Sequence, residues 1–188
     1  MKDFRYYADC FSSLHTAMKL GKPAPHKALL LLSVIDLVER GIIIDNHIEL
    51  SDILVKTFNA NAKKFYANSP IFKPEVTKPY FHMQHEKFWR LVEHNEANVL
   101  MAAEPSLQVA SNKEKKRLPV GSYSVKAMRS TFAHAEIDHT LYMLLRNNDA
   151  RAMLRVVLIN TYLSNQPTKT LPDFASIIMV LPLIALIA

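Results

Sequence analysis

The chain has 188 residues, and its 49% hydrophobic and 21% charged residues are typical of one globular domain with a sizeable core. The single cysteine, Cys10, excludes a disulfide framework and a cysteine-based zinc site, and it predicts a reducing, cytoplasmic location. The formal net charge of +6 favours an anionic partner, and the early acidic residues of the N-terminus argue against a secretion signal.

The positive charge is concentrated in two segments. Residues 56–90 hold seven basic residues against two acidic ones, and residues 113–129 hold six against one, so the rest of the chain is net acidic. This segregation predicts one basic face that meets a polyanion, and nucleic acid is the polyanion that we expect. The alternative is that both segments are solvated loops.

The chain begins with a predicted pair of helices. Apolar residues recur at three- and four-residue steps over residues 3–20, which predicts an amphipathic helix that ends at Gly21. Residues 25–40 are apolar on nearly every side, so we expect them to form the buried central helix of the domain. Pro25 suits the first turn of this helix, and Gly41 suits the position just after its end.

The next predicted elements are a β-hairpin and a third helix. Residues 42–44 and 47–50 flank the turn Asp45-Asn46, which is the pattern of a short hairpin. Ser51 or Asp52 then caps a helix that continues to about residue 66.

The second half of the chain predicts one more hairpin and three helices. Prolines across residues 67–79 predict a loop. Residues 80–84 and 88–92 follow as two strands, with Tyr80, His82 and Gln84 on one face of the first. Later helices are expected after the cap Ser124, over 137–146 and over 149–163. The fold class is therefore α+β: a mostly helical single domain with a buried central helix and short antiparallel β-hairpins.

We find no pattern that supports catalysis, and we expect no catalytic residue, no metal site and no cofactor. His82 and His85 are three residues apart, but no third ligand follows at the spacing of a zinc site. The chain has three glycines and no phosphate-binding loop, and no nucleophile lies in a recognisable elbow.

The remaining candidates are residues for binding. His26 and Lys27 lie at the start of the central helix, where free N–H groups and the helix dipole favour an anion. Residues 78–82 combine a cation, a proline ring, two aromatic rings and an imidazole, a combination that suits nucleic acid because cations hold phosphate and flat rings stack on bases. The alternative for the first site is a core helix with a solvated basic cap. Trp89, Phe81 and Met83 are expected in the core.

These two motifs resemble a known family. Pro25-His26-Lys27 before a leucine-rich helix, and the segment from Pro79 through Trp89-Arg90-Leu91, resemble the N-terminal domain of modification-dependent HNH restriction endonucleases. That domain is the sulfur-binding domain, which recognises phosphorothioate DNA, and the resemblance covers about residues 1–165. Many members carry tyrosine where this chain has Lys78, and members continue into an HNH nuclease domain, whereas this chain ends in an apolar segment at 166–188.

The resemblance implies a DNA-binding recognition module of a restriction endonuclease, with double-stranded DNA as the partner and phosphorothioate-modified DNA preferred. The residues that it assigns or that the basic segments suggest are His26, Lys27, Lys78, Pro79, Tyr80, Phe81, His82, Lys126 and Arg129. Two alternatives stay open: an HNH-family endonuclease acting on DNA, and a protein- or membrane-interaction module that uses the apolar tail. A homodimer or a separate nuclease chain is a possible further partner.

Overall fold

The computed structural model describes residues 2–19, 21–66, 73–94 and 123–164. Within these ranges the chain is a mostly helical α+β domain around one hydrophobic core, as the sequence predicts. The elements in chain order are α1 (Phe4–Ser12), β1 (Met18–Lys19), β2 (Lys22–Pro23), α2 (His26–Glu39), β3 (His47–Ile48), α3 (Asp52–Tyr66), α4 (Thr77–His82), a 3₁₀ turn (Met83–His85), β4 (Trp89–Glu93), α5 (Val125–Thr131), β5 (Phe132–Ile137), α6 (His139–Arg146), α7 (Asn148–Leu158) and a π turn (Ile159–Leu163).

The predicted central helix is confirmed as α2. Eleven of its fourteen residues are buried, and it packs against α3, α4, α6 and α7. Gly41 adopts a φ of +67°, and the helix ends in a Schellman motif. In this motif the Gly41 N–H donates to Val38 O at 3.0 Å, and the Ile42 N–H donates to Leu37 O at 2.9 Å.

The hairpin predicted over residues 42–50 is wrong, and the helix cap explains why. The N–H groups of Ile42 and Ile43 both donate to Leu37 O, so these residues belong to the end of α2 and cannot form a strand ladder. His47 and Ile48 form the short strand β3 instead, and they pair with Glu136 and Ala135.

The first helix is also shorter than predicted. Asp3 caps α1 by accepting from the Tyr6 N–H at 3.0 Å, and the helix ends at Ser12. Tyr7, Phe11 and Leu14 are buried as expected, whereas Met18 is 65% exposed. Gly21 does not end a helix; it turns the hairpin β1–β2 with a φ of +73°.

The main sheet has three antiparallel strands in the order β3–β5–β4. The sequence does not predict its central strand, β5, because Phe132 fits the helical pattern after Ser124 and Ile137 fits the pattern of the next helix. Phe132, Ala135 and Ile137 point into the core, and a bulge between Val92 and Glu93 interrupts the pairing with β4.

The strand predicted over residues 80–84 is wrong, and so is the loop predicted to extend through Pro79. Residues 77–82 form α4, and a 3₁₀ turn follows. Pro79 lies in the first turn of α4, where the missing N–H has no intrahelical partner to lose. Tyr80, Phe81 and Met83 are all buried, so they share an inner side at helical spacing instead of alternating between two faces.

The remaining predicted helices are largely confirmed. Ser51 and Ser124 cap α3 and α5 by accepting from the N–H groups of Leu54 at 3.3 Å and Ala127 at 3.1 Å. Residues 137–146 are helical only from His139, because Ile137 ends β5. Most of the basic segment over 113–129, up to residue 122, and the tail at 166–188 lie outside the described residues.

Candidate nucleic-acid interface

A buried ion pair holds the start of α2. The Lys27 ammonium donates to Glu86 Oε1 at 2.5 Å, and only 8% of the lysine side chain and 5% of the glutamate side chain are exposed. Glu86 also accepts from the backbone N–H of His15 at 3.0 Å, and its other oxygen lies 3.2 Å from the His15 ring. One carboxylate thus joins the α1–β1 connection, α2 and the turn after α4.

His26, the neighbour of Lys27, faces the segment that leads into α4. Its Nε2 lies 2.8 Å from the backbone oxygen of Lys73, and the side chain is half-buried. The predicted basic entry of α2 therefore has two different halves: Lys27 is neutralised inside the fold, and His26 is fixed at its edge.

The middle of α4 forms part of the core. Pro79, Tyr80 and Phe81 are buried, and the Tyr80 hydroxyl donates to Ile48 O at 2.6 Å. Burial raises the pKa of Tyr80 well above its ordinary value. Since Tyr80 and Phe81 are 1% and 4% exposed, neither ring is presented at the surface of the domain.

At the end of α4 lies a group of rings that we call the aromatic–imidazole cluster: His82, His85 and Tyr123, with the buried Phe81 behind them. The His82 ring stacks 5.7 Å from Tyr123 and 6.0 Å from His85, between centroids. Phe81 meets Tyr123 edge to face at 5.7 Å, and the Tyr123 hydroxyl lies 3.4 Å from His82 Nε2. This cluster brings α4 together with the residue that precedes α5.

The cluster keeps His82 neutral. Burial lowers the pKa of His82 below its ordinary 6.5, and the neighbouring His85, Lys27 and Lys78 add to the effect because they disfavour another positive charge. At neutral pH the ring is therefore neutral and adds no cation to this surface.

The other predicted cations differ in their surroundings. Lys78 is exposed beside the cluster and forms a surface ion pair with Glu75 at 2.9 Å. Lys126, in the first turn of α5, is exposed. Arg129 is occupied by α3: its Nε donates to Leu50 O and its Nη2 donates to Asp52, both at 2.6 Å.

The structure thus brings together only part of the predicted set. One surface carries Lys78, His82 and, through Tyr123, the start of α5. The other predicted residues of these two motifs are buried beneath the surface: Lys27, Pro79, Tyr80 and Phe81. Sequence reasoning missed Glu86 and Tyr123. Glu86 gives no signal in sequence, because a lone glutamate between polar residues is typical of a solvated turn.

No metal centre or membrane span is evident in the part of the chain that the structure describes. Its His, Cys, Asp and Glu side chains form no group of three that could hold a metal ion. Its helices are too short or too polar to cross a bilayer.

No protein-family model matches this sequence, and no curated protein is significantly similar to it. The resemblance to sulfur-binding domains therefore stays a prediction based on two motifs.

The surroundings of His82 predict a pH dependence of folding stability. Because the folded-state pKa lies below 6.5, the unfolded chain binds protons more readily as the pH falls. The contribution of His82 to the free energy of unfolding is complete above pH 6.5, the ordinary pKa of histidine. That contribution is lost as the pH falls through the pKa of His82 in the folded state. Urea unfolding at about pH 7.5 and about pH 5 should show a smaller loss of stability for His82→Gln than for the wild type. An equal loss in both proteins would contradict this assignment.

Proposed function

We propose that this chain is a recognition module for double-stranded DNA that acts in the cytoplasm and prefers phosphorothioate-modified duplexes. The observation that supports it best is the surface where α4 meets the start of α5. There the exposed cation Lys78 borders the aromatic–imidazole cluster, and Lys126 is exposed in the first turn of α5.

This surface has the two kinds of group that a duplex requires. Cations contact phosphates and set the position of the protein, while flat rings and hydrogen-bonding groups face the sugar and base edges. Lys78 provides the charge, and its ion pair with Glu75 is exposed, so a phosphate can compete for it at small cost. His82 and Tyr123 provide aromatic rings that are partly exposed.

Lys27 has a structural role in this proposal. Its charge is balanced by Glu86, and both side chains are almost fully buried, so the pair offers little net charge to a phosphate. Instead, the pair fixes the start of α2 against the turn that follows α4, and the cluster depends on that placement.

The sulfur preference follows from the chemistry of the cluster. Sulfur is larger, more polarisable and less strongly hydrated than oxygen, and it contacts aromatic edges favourably. Tyr123 places a ring beside Phe81 and His82, on the side of α4 that carries Lys78. We infer that this ring takes the place of the tyrosine that many sulfur-binding domains carry before the proline.

Salt-titrated binding to matched duplexes tests the proposal. We expect tighter binding to a phosphorothioate duplex than to its unmodified counterpart, and weaker binding to both as salt rises. Lys78→Ala should weaken binding to both duplexes and lower the slope of log affinity against log salt by about 1. Tyr123→Ala should mainly remove the preference.

Arg146→Ala is the matched control, because it removes an exposed cation from α6, which is not one of the elements that form this surface. Equal affinity for both duplexes would remove the sulfur preference and leave DNA binding. An affinity that does not change with salt would end the DNA proposal.

A further inference from the structure

Helix α3 runs back along α2 towards the proposed interface. Near the start of α3, Lys56 and Thr57 line a groove of about 570 Å³ together with Glu39 and Arg40 from the end of α2. One turn later, Asn61 donates to Asp36 at 2.8 Å and to Ser33 at 3.2 Å. The two helices are therefore antiparallel, and the end of α3 lies towards the start of α2.

The outer side of α3 carries a row of cations. Lys56, Lys63 and Lys64 are exposed, and so is Arg40 where α2 ends. We call these four residues the α3 basic track. Lys56 and Lys63 are seven residues apart, so at 1.5 Å per residue they are separated by about 10 Å along one side of the helix. The exposed residues between them, Asn59 and Ala60, are small and uncharged, which allows another molecule to approach closely.

The acidic residues beside the track are already neutralised from within the fold. Arg155 on α7 pairs with both Asp36 and Glu39, and Arg151 also reaches Glu39 at 3.4 Å. Asp52, one turn before Lys56, is bound by Arg129 and has its pKa lowered by that arginine.

By contrast, none of the described carboxylates forms an ion pair with a cation of the track. The arginines thus balance these three acids, and the four cations of the track keep no paired carboxylate among the described residues. A helix face that only contacts water does not require its lysines to be left unpaired, because acidic residues three or four positions away could pair with them and stabilise the helix.

We propose that the α3 basic track is a second contact surface for the DNA backbone, which extends the bound duplex beyond the α4–α5 surface. This inference rests on the proposed function. The track contacts phosphates and carries no sequence information, because lysines on a helix face with small neutral neighbours provide charge without base-reading groups. Its effect is therefore the same for modified and unmodified duplexes.

The test is a salt titration of binding to an unmodified duplex by Lys56→Ala/Lys63→Ala. Each lost phosphate contact lowers the salt slope by about 0.9, so we expect a decrease of about 2 and a loss of affinity of roughly 10- to 100-fold at moderate salt. Lys56→Arg/Lys63→Arg should bind as the wild type does. Far-ultraviolet circular dichroism checks that each variant is folded.

Arg5→Ala/Arg146→Ala is the matched control, since it removes two exposed cations from α1 and α6 and changes the net charge equally. It should retain the wild-type slope. The track is not a contact surface if the wild type binds DNA and Lys56→Ala/Lys63→Ala has the same salt slope as Arg5→Ala/Arg146→Ala. The proposed function would still stand. If the wild type shows no salt-dependent binding, both proposals fall.

Discussion

Glu86→Gln is expected to lower the free energy of unfolding by about 3–5 kcal/mol, because it leaves the Lys27 ammonium buried without a counter-charge. Glutamine keeps the shape of the side chain and an acceptor for the His15 N–H, so the change isolates the charge. Urea or thermal unfolding followed by circular dichroism measures the effect.

Two comparisons make this prediction specific. Lys27→Met/Glu86→Gln removes the buried charge altogether, and it should regain much of the lost stability. Glu75→Gln breaks the ion pair with Lys78, which is exposed on both sides, and should cost no more than about 1 kcal/mol. Similar losses for Glu86→Gln and Glu75→Gln would contradict the burial of the Lys27–Glu86 pair.

Ile35→Ala is the second substitution with a large expected effect. Ile35 is 0% exposed in the middle of α2, so its truncation leaves a cavity where several elements meet. We expect a loss of about 2–5 kcal/mol, measured by the same unfolding experiments.

The chain offers a control of the same chemistry. Ile44 is 77% exposed, and Ile44→Ala should change stability by less than about 0.5 kcal/mol. Equal losses at the two positions would mean that α2 is not the buried centre of the domain.

The central helix could be predicted because its signals are local. A proline at its start, a glycine beyond its end and an apolar body each act within one or two turns of chain, and all of them agree. The cap at Ser124, and the cap at Ser51 as one of two alternatives, could be predicted for the same reason.

The errors arose where local signals were ambiguous or where distant residues decided the outcome. Pro79 is compatible with a loop, a strand start or the first turn of a helix, and only the burial of Tyr80, Phe81 and Met83 favours the helix. The strand β5 is defined by partners in β3 and β4, and no periodicity within six residues shows those partners.

In the candidate site, too, residues with a local chemical signal could be predicted, whereas a residue defined by a distant contact could not. Lys78 and His82 were identified by their chemistry, and both lie at the surface that we propose for DNA. Glu86 could not be identified, because its importance comes from its contact with Lys27, which lies 59 positions earlier in the chain. Lys27 is predicted from the sequence to contact an anion at the start of α2, and its orientation in the fold depends on its contact with Glu86.

The strand order of the main sheet determines when β3 can form its pairing during synthesis of the chain. Asn46, just before β3, donates to Ile137 O across 91 positions of sequence, so β3 has no partner in the main sheet until most of the domain has left the ribosome. Contacts of this separation slow folding, because the long loop must close before they form. The hydrogen bond from the Tyr80 hydroxyl to Ile48 O also forms late, because Ile48 is fixed by its pairing with Ala135 in β5. A nascent chain that stops short of β5 therefore exposes the edge of β3 and lacks the finished surface around α4. The surface that we propose for DNA would therefore be complete only after β5 enters the middle of the sheet.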